Sequence, residues 1–262
     1  MSDGVCQHCG ERLRERQRFY CSYACRNHAR ARVGLGGESP RRVMVDRRGE
    51  GAGGCSRAFL GRAMTTVAAL YVQRDGCYYG LPGVDPWDQE RDARLYDGPH
   101  PVVAHPPCQR WCRLAGLVEA RWGHRRGEDG GLFAAALASV RRWGGVLEHP
   151  AYSDAWRAHD LTPPVTGGGW TAADMLGGWT CYVEQGRYGH AAKKATWLYA
   201  HGVQLHSLRW GHDPAARSAA LVSWCGNRIS TGDTRPRLGK SDASATPPEF
   251  RDLLLALARS AR

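Results

Sequence analysis

Hydrophobic positions are spread unevenly along the 262 residues of the chain. Residues 1–33 contain almost no aliphatic side chains, and residues 34–61 (GLGGESPRRVMVDRRGEGAGGCSRAFLG) hold no sustained apolar period. From Arg62 onward, short apolar runs alternate with longer amphipathic stretches. Thr66–Val72 (TVAALYV), Pro101–Ala104, Val146–Leu147, Thr180–Glu184 and Ala195–Ala200 (ATWLYA) read as strands, because they are brief and apolar, several of them bounded by Gly or Pro. Leu132, Phe133, Ala136, Leu137, Val140 and Trp143 recur at helical spacing, and Gly144-Gly145 ends that helix. A second helix is expected over FRDLLLALARSA, with Thr246 as N-cap, prolines in the first turn and Glu249 completing a capping box. Asp75-Gly76, between Ala68–Val72 and Cys77–Tyr79, reads as a hairpin turn. The alternation predicts an α/β domain over residues 62–262, with a parallel, Rossmann-like sheet and sites at the C-terminal ends of its strands.

Composition separates the remaining segments. Lys and Arg number 36 against 25 Asp and Glu, a net charge of +11. Such a balance suits a polyanionic partner, nucleic acid above all. No run approaches the length of a membrane span, and the N-terminus MSDGVCQHCG lacks an apolar leader core, which points to a reducing cytoplasm. In that compartment cysteines serve as metal ligands or nucleophiles. Cys6-x2-Cys9 and Cys21-x3-Cys25 form two close pairs within residues 1–33, a spacing that sets four thiolates around a structural zinc ion. A segment this poor in apolar side chains needs that metal to fold, and zinc contributes roughly 10–16 kcal/mol in such peptides. His8 and His28 are alternative donors. Residues 34–61, rich in Gly and Arg, read as a linker, with a short strand at Val43–Val45 as the alternative.

The segment Val102–Gln109 (VVAHPPCQ) carries the most chemistry. A strand delivers Cys108 on a proline-stiffened loop, and His105, Arg110 or a following helix start can raise its thiolate fraction. Forty residues on, a helix and strand lead into Glu148-His149-Pro150, and a further forty residues lead to Tyr188-Gly189-His190-Ala191-Ala192-Lys193-Lys194-Ala195-Thr196 before another strand. In order and interval these segments resemble the PCQ, ENV and YGxPQxRxR motifs of DNA cytosine-5 methyltransferases. The likeness covers roughly Pro101–Tyr199. The cysteine-rich start similarly resembles treble-clef or MYM-like zinc fingers. The first resemblance implies a methyltransferase-type sheet and a covalent mechanism, with Cys108 adding to carbon 6 of the pyrimidine and Glu148 holding the ring nitrogen. Lys194 falls where the family has its first arginine. His105, Gln109, Arg110, Trp111, His149 and Thr196 become candidate substrate contacts, with DNA or a pyrimidine nucleotide as partner.

Two departures keep alternatives open. The family's donor, S-adenosylmethionine, sits on a glycine-rich turn after the first strand, and nothing before Cys108 matches that turn. Gly83–Asp88, with Asp85 and Asp88, is either a ribose-binding loop or an acidic turn. Between Tyr199 and the C-terminal helix only about 45 residues remain, too few for a large target-recognition region. A nucleotide-modifying enzyme with another donor and an inactive zinc-finger nucleic-acid-binding protein are therefore the rival readings. Cys108-x3-Cys112 with His105 is a conceivable second metal site without an evident fourth ligand.

Overall fold

The computed structural model describes residues 64–112, 115–211, 218–222 and 234–262. The chain divides into two units, Met1–Leu60 and Gly61–Arg262, and every described residue belongs to the second. Cys6, Cys9, Cys21 and Cys25, the linker and Val43–Val45 lie outside the described residues.

The second unit is α/β. Seven strands form one sheet: β1 (Val67–Leu70), β2 (Val84–Trp87), β3 (Val102–Ala104), β4 (Gly145–Pro150), β5 (Thr171–Ala172), β6 (Trp179–Glu184) and β7 (Ala195–His201). Their order is β2-β1-β3-β4-β7-β6-β5. The first four run parallel, whereas β7 is antiparallel to β4, β6 to β7 and β5 to β6. The parallel sheet expected from the alternation therefore covers four of the seven strands. Both faces are covered, so central strands read as continuous apolar runs, and all four residues of β1 are fully buried.

Helix α1 (Ala115–Trp122) follows the Cys108 loop, and α2 (Leu132–Trp143) follows in turn. Phe133, Ala136, Leu137 and Val140 of α2 pack on one face of the sheet with Trp156 from the short α3 (Asp154–Ala158). After α4 (Lys240–Ser244), α5 (Pro248–Arg259) covers the other face through Phe250, Leu254, Leu257 and Ala258. The helix at Leu132–Trp143 matches the apolar period residue for residue, and Gly144 ends it at φ 73°. Gly145 then enters β4 at φ 132°, with its α-carbon so close to β3 that an added Cβ would lie 1.9 Å from the Val102 carbonyl oxygen.

Three local expectations change. Asp75-Gly76 does make a turn, with Gly76 N–H donating to Gln73 O, but Cys77–Tyr79 continues as turns and forms no strand, so it is no hairpin. Val84–Trp87 is a strand and not a loop, because its backbone completes the sheet edge beside β1. At α5 the N-cap is Pro247, without a side-chain hydrogen bond, and Glu249 pairs with Arg209 instead of closing a capping box. Proline's fixed φ starts this helix where hydroxyl capping was expected.

Candidate active site

The sheet gathers chemistry at one edge. His105 N–H donates to Leu70 O and prolongs the β1–β3 ladder by one residue. Pro106 and Pro107 then turn the chain out of the sheet, and at Cys108 it closes a single helical turn, the Cys108 carbonyl accepting from Trp111 N–H (2.9 Å) and Cys112 N–H (2.8 Å). That turn is fastened from outside. The Trp111 carbonyl accepts from Asp154 N–H at the start of α3, and the Trp111 indole donates to Asp129 at 2.7 Å. Cys108 is half-buried at the C-terminal end of β3, where parallel strands present their loops.

Glu148 stands near the end of β4 on the α5 side of the sheet, paired in register with Leu198 of β7. Its buried carboxylate has partners on both oxygens. Oε2 meets His105 Nδ1 at 3.1 Å, while Oε1 accepts from Gln185 Nε2 at 2.9 Å and from the Thr196 hydroxyl at 3.4 Å. The far side of the His105 ring completes a chain, with Nε2 at 2.8 Å from the Tyr78 hydroxyl. An ionised Glu148 takes a hydrogen bond from His105 Nδ1–H. Burial alone would raise the pKa of Glu148. The hydrogen bond and charge of His105, with the charge of Lys194, outweigh it and hold the group at about 2.

Lys194 precedes β7 at a left-handed φ of 40°. Its ammonium donates to the carbonyls of Ser244 (2.9 Å) and Ala245 (2.7 Å) and acts electrostatically on Glu148, Cys108 and Cys77. Burial lowers its pKa. It is therefore both a latch for the segment before α5 and the cation of the site. Burial, with Cys112 and Glu148 close by, pushes the Cys108 thiol up to about 11 against the pull of Lys194. In the resting protein the thiol form therefore prevails over thiolate at neutral pH.

Of the residues singled out from sequence, His105, Cys108, Glu148, Lys194 and Thr196 come together here. The others sit elsewhere. His149 follows Glu148 in the strand, so its side chain projects to the opposite face, where it is fully buried against Phe133 and Trp156. Burial lowers its pKa to about 4, and among the described residues neither ring nitrogen makes a well-formed hydrogen bond. Trp111 is next to Cys108 in sequence, yet its ring turns inward to Phe133 and His159. Gln109 is exposed and Arg110 half-buried on the outer side of the turn. Among the described residues no group of three or more His, Cys, Asp or Glu is arranged to hold a metal ion, so His105, Cys108 and Cys112 do not form one.

Sequence reasoning missed Tyr78 and Gln185. Gln185 closes the run Trp179–Glu184 with a fully buried carboxamide, whose Oε1 has no partner among the described residues. A polar residue ending an apolar strand was the available signal. Tyr78 offered none, since it belongs to the irregular β1–β2 connection.

The end of β2 tests for a nucleoside-type donor. Asp88 is buried and committed, accepting from the Tyr79 hydroxyl at 2.7 Å and from the amides of Glu90 and Arg91. Asp85 accepts from the Trp87 indole and from Arg91. The residue leaving β1 is Tyr71, at φ 59°, where a glycine-rich turn would need no side chain. These residues do not fit S-adenosylmethionine in the manner of the methyltransferases: the carboxylates are occupied and the turn carries bulk. No protein-family model, curated protein or solved structure matches the chain.

Proposed function

We propose that residues 62–262 form a pyrimidine-modifying enzyme of the cytosine-5 methyltransferase type, working through a covalent adduct on Cys108. The observation that carries the proposal is that Cys108, Glu148 and Lys194 share one electrostatic environment at the C-terminal edge of β3, β4 and the start of β7. The order of the strands is compatible with it: four parallel strands are followed by a reversed strand between β4 and β6, as a methyltransferase-type, Rossmann-like sheet would require. Likeness of fold alone would not identify a reaction.

In this reading the thiol proton leaves to water and the thiolate adds to carbon 6, forming the S–C bond. The electron pair of the 5,6 double bond moves to carbon 5. Glu148, fixed by His105, Gln185 and Thr196, accepts a hydrogen bond from the ring edge, and the Lys194 charge offsets the negative charge that develops. Carbon 5 then takes an electrophile, loses its original hydrogen, and the thiolate is expelled. No step is assigned to S-adenosylmethionine, since the β2 carboxylates do not fit it. With water alone the electrophile is a proton, and the net result is hydrogen exchange at carbon 5.

That exchange needs no donor and is the decisive test. Purified full-length protein is incubated with cytosine deuterated at carbon 5, either as deoxycytidine monophosphate or within an oligonucleotide, and deuterium loss is followed by mass spectrometry. Exchange that disappears in Cys108→Ser is the expected outcome. Equal rates with and without Cys108 refute the proposal. A zinc-bearing N-terminal module at Cys6, Cys9, Cys21 and Cys25 is a separate part of the proposal, checked by metal analysis of the same preparation.

A further inference from the structure

Between Arg110 and Gly127, residues 115–126 form a largely exposed excursion. Its base is closed by Gly127 N–H donating to Arg110 O at 2.9 Å and by the Trp111 indole on Asp129. Because Trp111 N–H also bonds the Cys108 carbonyl, this base and the nucleophile turn are one unit. The excursion carries α1, in which only Ala115 is buried. An eight-residue helix with one buried side chain draws little packing energy from its own domain. Leu117 is 43% and Trp122 53% exposed, and every residue from Arg121 to Arg126 is exposed. The Arg121 guanidinium lies over the Trp122 ring, 5.1 Å from its centroid.

The charge of the excursion selects its partner. Residues 110–126 contain five arginines and a single acid, Glu119; Arg125 pairs with Glu128 and Arg126 with Asp154, so the positive excess rests on the remaining arginines, Arg121 among them. Residues 1–61 hold twelve Lys and Arg against six Asp and Glu, and the whole chain is at +11, so neither the N-terminal segment nor a second copy complements this surface. A polyanion does. An exposed indole edged by a guanidinium is the pairing that stacks a nucleobase while contacting the adjoining phosphate.

We infer that α1 and the following Gly123–Arg126 form a docking arm for a nucleic-acid strand, with Trp122 stacking a base and Arg121 meeting a phosphate. Since the arm is hydrogen-bonded to the Cys108 turn, a docked strand is held in register with the nucleophile. The preferred substrate is then a cytosine within a polymer and not a free nucleotide; this second step rests on the Cys108 reading above, whereas strand binding does not.

The test uses the full chain and its Arg121→Ala/Trp122→Ala variant, whose changed side chains are at the surface. Fluorescence anisotropy with a labelled 20-nucleotide single-stranded DNA measures docking. Loss of one stacked base weakens binding about five- to hundredfold. In Arg121→Gln alone, loss of one phosphate contact reduces the slope of log affinity against log salt by about 0.7. Unchanged affinity and salt slope overturn the arm. Carbon 5 exchange is then compared on the oligonucleotide and on deoxycytidine monophosphate. The expected pattern is a raised KM on the oligonucleotide with exchange on the mononucleotide unchanged. Equal KM on the oligonucleotide for both proteins overturns the substrate assignment. Absence of exchange on either substrate in the unaltered protein refutes the Cys108 reading instead and leaves the binding result to decide the arm.

Discussion

Replacing Glu148 by Gln keeps the shape of the side chain while removing the charge and turning one of its two acceptor oxygens into a donor. Glu148 is buried, and its pKa falls from an ordinary 4.5 to about 2 in the folded protein. A carboxylate depressed in this way stabilises the fold above its unfolded pKa and loses that contribution as pH drops toward the folded value. Full protonation would remove about 3 kcal/mol, because each tenfold change in proton affinity is worth about 1.4 kcal/mol. Between pH 5 and pH 3, across which the unfolded group takes up its proton while the native one stays largely ionised, the loss is about 2 kcal/mol. The same interval brings no such loss to Glu148→Gln. Asp174, which Arg141 and Tyr199 help to hold at about 2, contributes acid sensitivity equally to both proteins and cancels in the comparison.

The assay is urea unfolding at pH 5 and pH 3, followed by tryptophan fluorescence. All ten tryptophans lie beyond residue 61, so the signal reports the α/β domain and not the N-terminal segment. The quantity of interest is the difference between the two pH values, which is independent of whatever stability the substitution costs at pH 5. A difference in Glu148→Gln smaller by about 2 kcal/mol than in the unaltered protein is expected. The same difference in both proteins would refute the assigned network of His105, Lys194 and Glu148.

Two further outcomes follow from the geometry. With its thiol raised to about 11, Cys108 should react with iodoacetamide about tenfold faster for each unit of pH between 7 and 10, read peptide by peptide by mass spectrometry; a rate already at its plateau at pH 7 would contradict the half-buried, protonated resting thiol. Gly145→Ala forces a Cβ onto the Val102 carbonyl at a φ of 132°, and should destabilise the domain by at least about 3 kcal/mol in urea unfolding; a loss under about 1 kcal/mol would mean that β3 and β4 are spaced differently.

What could be read from the sequence was what the chain settles locally. The Leu132–Trp143 helix was legible because its apolar stripe and its terminating glycines lie within one segment. The strand delivering Cys108 was legible because apolar residues end abruptly at two prolines. The direction of strands was not, since β6 and β7 look like β3 and β4 in sequence and differ only in how the connections return. For the same reason Gln185 went unseen beside Glu148: the two are 37 residues apart and meet only because antiparallel β6 and β7 bring their ends to the edge where parallel β4 finishes. His149 shows the converse. Its place beside Glu148 suggested a shared role, but strand alternation sends neighbouring side chains to opposite faces.

On the proposed reading, the electrostatics of the edge also bear on when the site works. Glu148 is held ionised with partners on both oxygens, whereas the Cys108 thiol is held protonated, so the proposed resting state combines an available acceptor with an idle nucleophile. Desolvation is the largest cause of the raised thiol pKa, and the negative charge of Glu148 adds to it. A substrate that donates a hydrogen bond to Glu148 draws off part of that negative charge and lets the pull of Lys194 weigh more heavily on the sulfur. Any lowering of the thiol pKa by one unit multiplies the reactive fraction about tenfold. The same carboxylate that orients the ring would thereby couple ring binding to activation of the nucleophile, and would keep Cys108 unreactive toward adventitious electrophiles until a ring is present.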